Sequence, residues 1–184
     1  MNQYYLMAQL PSLDGLGENT PLPITEDTFF DICSRSLDAK SMARLQSVSL
    51  SPDRDSQPDG SGLLDAWNQG ERQLRLALGS LRAARMKKSF DSGEDSFPPA
   101  VMQAARTAMG MEDPLAAERY LNQYRMGFLD QLRPMDHFCE DSVFYYCLKL
   151  KLHMRMRRFD VQRGQEAYRN IYDSILHEDN QEDK

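Results

Sequence analysis

Three amphipathic stretches fill the last third of this chain, between residues 113 and 176. Each opens with residues that favour the start of a helix, namely Asp113-Pro114, Asp141-Ser142 and Phe159-Asp160. Apolar side chains then recur at three- and four-residue steps, which places them on one face of a helix. Such faces must be buried against one another, so this pattern predicts an all-α protein.

Residues 148–156 are the least clear part of the pattern, because apolar and basic residues alternate there as they would in a half-buried strand. The residue types Leu, Lys, Met and Arg nevertheless favour a helix and lack the β-branching that strands prefer. In a helix, Leu150 and Met154 widen the apolar stripe that Leu148 and Leu152 begin. We therefore predict a central helix that is covered on more than one face.

The same signals recur earlier in the chain. Residues 4–10 fit either a strand or one or two helical turns, of which we favour the helix. Thr25 and Asp38 are suited to be N-caps of two further helices. A long periodic run extends from Leu63 to about Lys88, and a shorter one from Pro98-Pro99 to Gly110. The prediction is an irregular helical bundle of about six to eight helices. It forms a single domain over residues 1–184, with flexible connectors near 49–62 and 89–96 and a frayed tail at 177–184.

Three structural positions follow from this scheme. Trp67 should anchor the long helix in the core, and Phe159 should lie on the buried side of the central helix. Gly164 would allow two helices to approach closely. The last helix, from Asp160 to about Leu176, is expected to bury its apolar residues, which are Val161, Ala167 or Tyr168, Ile171, Tyr172 and Ile175.

The amino-acid composition excludes some classes of partner and cellular location. A net charge of -6 and a pI near 5.1 argue against bulk attraction to nucleic acid or anionic lipid. The odd, sparse set of three cysteines fits a reducing compartment. There is no basic leader and no run of about 18 apolar residues, so we expect a soluble cytoplasmic protein without direct membrane insertion.

Motifs for catalysis are missing from the sequence. It contains neither a Gly-x-Ser-x-Gly nucleophile elbow nor a phosphate-binding loop. The soft metal ligands His137, Cys139, Cys147 and His153 lack the paired spacing of a zinc site. We expect no enzyme activity, cofactor or metal. The alternative is an enzyme or small-ligand binder with a pocket inside the bundle, where His137 or His153 would be the polar groups.

Basic residues form two groups at helical spacing. The first is Arg72, Arg75, Arg82 and Arg85; the second is Lys149, Lys151, Arg155, Arg157 and Arg158. Such groups are usually solvated helix faces, and the main rival interpretation is a docking surface for an acidic protein. The candidate partner-binding residues are Arg72, Arg75, Arg82, Arg85, Lys149 and Arg155.

An ordered set of short motifs adds a family resemblance. In chain order, the motifs are residues 4–13, Pro23-Ile24-Thr25, Trp67 followed by residues 71–75, residues 113–119, and Phe159-Asp160 followed by Gly164. The order resembles that of a small uncharacterised bacterial family encoded beside V/A-type ATPase subunits. That family is in turn distantly similar to the all-helical protein that caps the central stalk of those ATPases, known as their C or d subunit.

The resemblance implies a function. The stalk-capping protein sits between the central stalk and the membrane ring and passes torque without catalysis. This chain is shorter than a full stalk cap with its three helical lobes, so the resemblance implies a partial stalk cap or an assembly factor. Its partners would be stalk or membrane-ring subunits, and its location would be the cytoplasm, peripheral to the inner membrane through that complex. A regulatory interaction protein unrelated to rotary ATPases is the third interpretation.

Overall fold

The computed structural model describes residues 3–17, 20–52, 58, 60–90, 97–158 and 164–173. This part of the chain forms eight α-helices and contains no β-strand, which confirms the all-α prediction. The helices are α1 (Tyr4–Gln9), α2 (Glu26–Ser34), α3 (Ala39–Ser47), α4 (Gly62–Arg85), α5 (Pro99–Met109), α6 (Pro114–Gln131), α7 (Glu140–Arg157) and α8 (164–173).

Local capping chemistry sets several helix starts. The side chains of Thr25, Asp38 and Asp113 accept hydrogen bonds from first-turn N–H groups of α2, α3 and α6, as predicted. Ser61 caps α4 in the same way, through the N–H of Leu64. Pro114 occupies the first turn of α6, where its missing N–H costs nothing.

The long helix α4 ends three residues earlier than predicted, at Arg85 rather than Lys88. Lys87 adopts a left-handed conformation, with φ 55°. The N–H groups of Lys87 and Lys88 then bind the carbonyls of Ala84 and Ala83, at 3.1 and 2.9 Å. This pattern is the Schellman end of a helix, with lysine in the position that glycine usually takes.

Helix α7 runs through the centre of the structure and settles the alternating stretch as helical. Helices α3, α4 and α6 pack against it, and so does the N-terminal segment. Consecutive residues from Ser142 to Leu150 are all buried, including Lys149. The prediction of a central helix covered on more than one face is therefore confirmed.

The buried apolar residues form two clusters. The larger cluster joins α1, α2, α3 and α7 to the first turns of α4 and the last turns of α6, and Trp67 is 1% exposed within it. The smaller cluster lies between α4, α5 and α6 around Leu74, Ala77 and Leu121. Helices α4 and α6 contribute to both clusters, which ties them into one folded unit.

A buried ion pair lies between the two clusters. Arg125 of α6 donates two hydrogen bonds to the carboxylate of Glu71 on α4, at 2.8 and 2.9 Å. Both side chains are almost fully buried. Because an unpaired buried charge is very costly, this bidentate pair fixes how α4 and α6 are aligned.

Helix α8 differs from the prediction. Residues 164–173 are helical, but every one of them is exposed, so the expected burial of Ala167, Tyr168, Ile171 and Tyr172 is wrong. A Cβ added to Gly164 would meet nothing within 4 Å, so the described residues show no close helix packing at Gly164. Phe159, Val161, Ile175, the tail at 177–184 and much of the two predicted connectors lie outside the described residues.

Candidate functional site

A cleft of about 220 Å³ lies between the N-terminal segment, the α6–α7 loop and the outer side of α7. We call it the N-terminal cleft. Its polar walls are formed by Asp14, Arg133, His137, Ser142, Tyr145 and Lys149. It is the natural place to look for a small-molecule site, because it gathers several groups that can ionise.

Lys149 is the centre of the polar side of this cleft, and its ammonium group is fully used. The Nζ atom donates to Asp14 at 2.5 Å, to Asp130 at 3.0 Å and to the Tyr145 hydroxyl at 3.1 Å. An ammonium group has three N–H bonds, so this set satisfies it. The Tyr145 hydroxyl in turn donates to Asp130 at 2.5 Å.

The electrostatics keep this cluster charged. Burial alone would lower the pKa of Lys149, but its hydrogen bonds to Asp14, Tyr145 and Asp130 raise that pKa above its usual value. The hydrogen bond from Lys149 lowers the pKa of the Asp14 carboxyl. Burial, followed by the hydrogen bond to Asp130, raises the pKa of Tyr145. A lysine must lose its proton to act as a nucleophile or base, so this arrangement is suited to holding the fold together.

The other candidate polar groups do not form a reactive set. His137 is exposed on the α6–α7 loop, while His153 is buried on α7. The Ser142 hydroxyl donates to the backbone carbonyl of Asp136 at 2.7 Å. Burial lowers the pKa of His153, and the nearby charges of Arg157 and Lys149 lower it further.

The buried cysteine thiols are not reactive groups either. Burial raises the pKa of both Cys33 and Cys147 to about 12, so neither thiol ionises readily. Among the described residues, no three His, Cys, Asp or Glu side chains are grouped closely enough to hold a metal ion. The described helices also include none that is both long and apolar enough to cross a membrane.

A second concave feature lies beside the C-terminal half of α7. It is an open groove of about 290 Å³, which we call the α7 groove. Three cationic side chains, two hydroxyls and one carboxylate line it: Lys151, Arg155, Arg158, Ser49, Ser51 and Glu26.

The contacts of the cations show what remains available in this groove. Lys151 donates to the carbonyl of Val48 at 2.6 Å and lies 3.6 Å from Glu26. One terminal nitrogen of Arg155 donates to Glu118 at 3.1 Å, whereas its Nε atom has no partner among the described residues. Arg158 is exposed at the end of α7.

The predicted basic residues fall into different environments. Arg75 donates to the Ser51 hydroxyl and pairs with Glu71 at 3.0 Å, so Ser51 links Arg75 to the α7 groove that contains Arg155. Arg82 and Arg85 are exposed at the end of α4, about 10–15 Å further along the helix. Arg72 is half-buried. Lys149 is 7% exposed, so the assumption that it lies on an accessible docking surface is wrong.

The third feature is an apolar stripe on α8, which we call the α8 stripe. It consists of Tyr168, Ile171 and Tyr172, which are 69%, 61% and 53% exposed. Their spacing places them on one face of the helix, and the two tyrosine rings stack at a centroid distance of 6.2 Å. Scattered exposed apolar residues are ordinary, but an apolar stripe along the exposed face of a helix is typical of a binding surface.

Sequence reasoning missed the partners that neutralise the buried charges. The pairs Tyr145–Lys149 and Glu71–Arg75 were visible as four-residue spacings on helices. Asp14 is 135 positions from Lys149, and Glu71 is 54 positions from Arg125. No local pattern could have joined those pairs.

Comparison with known proteins gives one match. Residues 100–179, which include nearly all of α5 and the whole of α6 to α8, match the model of a family described as a protein of unknown function (DUF2764). No curated protein and no solved structure matches the chain. The C-terminal part of the chain is therefore similar to a family whose description assigns it no function.

Proposed function

We propose that this protein is a non-catalytic helical subunit or assembly factor of a bacterial V/A-type ATPase. It acts through protein–protein contacts with stalk or membrane-ring subunits, in the cytoplasm and peripheral to the inner membrane. The observation that carries the interaction role is the exposure of the α8 stripe. The choice of the ATPase as partner rests on the ordered motifs at the N-terminus, around Trp67 and from Asp113 to Gly164.

The α8 stripe supports a helix-in-groove contact. A helix that keeps Tyr168, Ile171 and Tyr172 on one face gains free energy by laying that face into an apolar groove. Tyrosine is also favoured at interfaces, because its ring buries a large area while its hydroxyl stays hydrogen-bonded. The polar groups of the N-terminal cleft, by contrast, are already engaged with one another.

Co-purification with the ATPase tests the proposal directly. The tagged full-length chain is expressed in its native host, and the complex is extracted with a gentle detergent. We expect stalk or membrane-ring subunits of the V/A-type ATPase to be enriched and identified by mass spectrometry. Recovery of the chain without any ATPase subunit, under conditions that keep the ATPase intact, would reject the proposal.

A pair of charge-matched variants tests the role of α8. Ile171→Asp places a carboxylate on the α8 stripe, while Asn170→Asp places the same charge on the opposite face of the helix. We expect Ile171→Asp to reduce recovery of the ATPase subunits roughly tenfold or more, as loss of an interface anchor does. Asn170→Asp should leave recovery unchanged, and equal loss in both variants would argue against a stripe-specific contact.

A small-ligand binder or enzyme is the second candidate, because the N-terminal cleft is concave and is lined by the polar groups of His137 and Tyr145. Thermal-shift measurements with a panel of small acids and phosphates separate this candidate from the first. A compound that stabilises the wild-type chain but not a His137→Ala variant would favour it. An unrelated regulatory interaction protein would instead bind partners other than the ATPase in the co-purification.

A further inference from the structure

We infer that the α7 groove, which Ser51 also lines, binds an extended acidic segment of a partner protein through Arg155 and Arg158. The inference takes from the proposed function only that the partner is a protein. It concerns a surface on α7 and residues 48–52, not the α8 stripe.

The first argument is the local charge. The whole chain has a net charge of -6, yet this groove gathers three cationic side chains against one carboxylate. Arg75 extends the positive region beyond the groove through its hydrogen bond to Ser51. A positive region on a protein surface attracts an acidic partner, because the charges of the two surfaces are complementary.

The second argument is unused hydrogen-bonding capacity. Among the described residues, Arg155 donates to one acceptor, Glu118, through a terminal nitrogen, and its Nε is buried without a partner. A guanidinium has five N–H bonds, so the other N–H groups of the two terminal nitrogens remain for a ligand. The contrast with Lys149 is direct, since its three N–H bonds are all used inside the protein.

The third argument is spacing. Arg155 and Arg158 are three residues apart on α7, so their Cβ atoms are about 5–6 Å from each other. In an extended peptide, side chains two positions apart lie on the same side and about 6.5–7 Å apart. Long guanidinium side chains bridge that small difference, so carboxylates at alternate positions match the two arginines.

The position of the groove also favours carboxylates over a phosphate. The two arginines lie in the last turn of α7 and just beyond it, where the carbonyl ends of the helix carry partial negative charge. That partial charge repels a phosphate dianion that is held close to the backbone. Two separate carboxylates, bound at the ends of the long arginine side chains, lie further from the carbonyl groups and are repelled less. The Ser51 N–H is already donated to the Ser49 hydroxyl at 3.0 Å, so it is not available to cradle a phosphate.

Fluorescence anisotropy with the full-length chain tests the inference. The probe is a short fluorescein-labelled peptide with Glu at every second position, and the comparison peptide has Gln in place of each Glu. We expect the Glu peptide to bind and the Gln peptide not to bind. Raising the salt concentration should weaken the binding, because exposed charges are screened over about 8 Å at physiological ionic strength.

The variants are matched in charge. The double variant Arg155→Gln with Arg158→Gln should bind the Glu peptide roughly tenfold or more weakly, since charge-assisted hydrogen bonds are among the stronger ones. The control Arg82→Gln with Arg85→Gln removes two exposed arginines elsewhere on the surface and should bind within about twofold of wild type. Arg158→Gln alone keeps the Arg155–Glu118 pair intact, so its expected partial loss cannot be attributed to misfolding.

Three results would overturn the inference. The first is equal weakening by the Arg82/Arg85 control, which would indicate unspecific charge attraction. The second is displacement of the peptide by inorganic phosphate at equal concentration, which would indicate a small-anion site. The third is failure of the wild-type chain to prefer the Glu peptide. Ile171→Asp should leave peptide binding unchanged, so failure of the α8 interaction and failure of this inference give different patterns.

Discussion

Helices α7 and α8 are neighbours in sequence, and both were predicted to bury an apolar face, yet they end in opposite environments. Nine consecutive residues of α7, from Ser142 to Leu150, are buried. All ten residues of α8 are exposed. The α7 run includes a lysine, whereas the exposed α8 run includes two tyrosines and an isoleucine.

The comparison shows that burial is decided by what surrounds a helix as well as by its own composition. Lys149 can be buried because Asp14, Asp130 and Tyr145 satisfy its charge. Tyr168, Ile171 and Tyr172, although apolar or aromatic, are exposed on α8. In our interpretation, the cover for α8 comes from another protein.

The largest expected contrast is between two aromatic residues. Trp67→Ala in the core around α7 should lower the free energy of unfolding by about 3–5 kcal/mol, because it leaves a large cavity beside Phe128. Tyr172→Ala on α8 should change it by less than about 0.5 kcal/mol. Urea unfolding followed by circular dichroism measures both. Similar losses in the two variants would mean that α8 is packed against the core.

Aliphatic residues give the next contrast. Leu148 is fully buried on α7, so Leu148→Ala should cost about 2–5 kcal/mol. Ile171→Ala on α8 removes an exposed side chain and should stay within about 0.5 kcal/mol of wild type. The same unfolding experiment applies. An unaffected Leu148→Ala protein would contradict the central position of α7.

Two glycines, one in the core and one on α8, should respond differently to substitution by alanine. A Cβ on Gly70 of α4 would lie 2.4 Å from the ring of Phe128, so that ring would have to shift from its stacked position on Trp67. Gly70→Ala should therefore cost about 1–3 kcal/mol through overpacking. Gly164→Ala meets open space and should be neutral or slightly stabilising, because alanine favours helix. Thermal melting of the two variants measures the difference, and a destabilised Gly164→Ala protein would reveal packing at α8.

The smallest expected effect concerns the pH dependence that His153 contributes. Burial, Arg157 and Lys149 lower the pKa of His153 below its usual value of 6.5, while the Leu13 backbone and Asp130 act the other way. The unfolded chain therefore binds the proton more readily than the folded one. The contribution of His153 to the free energy of unfolding should therefore be constant well above pH 6.5 and should decrease as the pH falls below 6.5.

A variant isolates this contribution. His153→Gln removes the titrating group, so its stability should fall less than that of wild type between about pH 7.5 and 5.5, above the range of ordinary carboxylates. Urea unfolding at several pH values provides the measurement. Identical slopes in the two proteins would show that His153 is not the group responsible.

Local structure could be predicted where the cause is local. The N-caps Thr25, Asp38 and Asp113 were correct because a capping side chain bonds to a backbone N–H a few residues away. The helical state of residues 148–156 was also correct, because residue propensity outweighed the alternating pattern. Trp67 was placed correctly in the core from the apolar stripe of its helix.

The candidate sites were predicted less well. The prediction grouped Lys149 with Arg155 as surface cations, but Lys149 is buried and Arg155 lines an open groove. Arg75 and Arg155 are linked through Ser51, and nothing in the sequence around either arginine indicates that serine. The signals for Lys151 and Arg158 were present in the basic group, but the sequence did not distinguish their positions from that of Lys149.

The helical segments and several of their first residues follow from the amino-acid sequence, because propensity, periodicity and capping act over a few residues. The pairing of Lys149 with Asp14, the pairing of Arg125 with Glu71 and the exposure of α8 are seen in the folded structure alone. Those outcomes depend on which helix faces meet across large sequence separations. Whether a charge is neutralised and whether a side chain is buried depend on contacts between distant helices, so they cannot be read from one segment of the sequence.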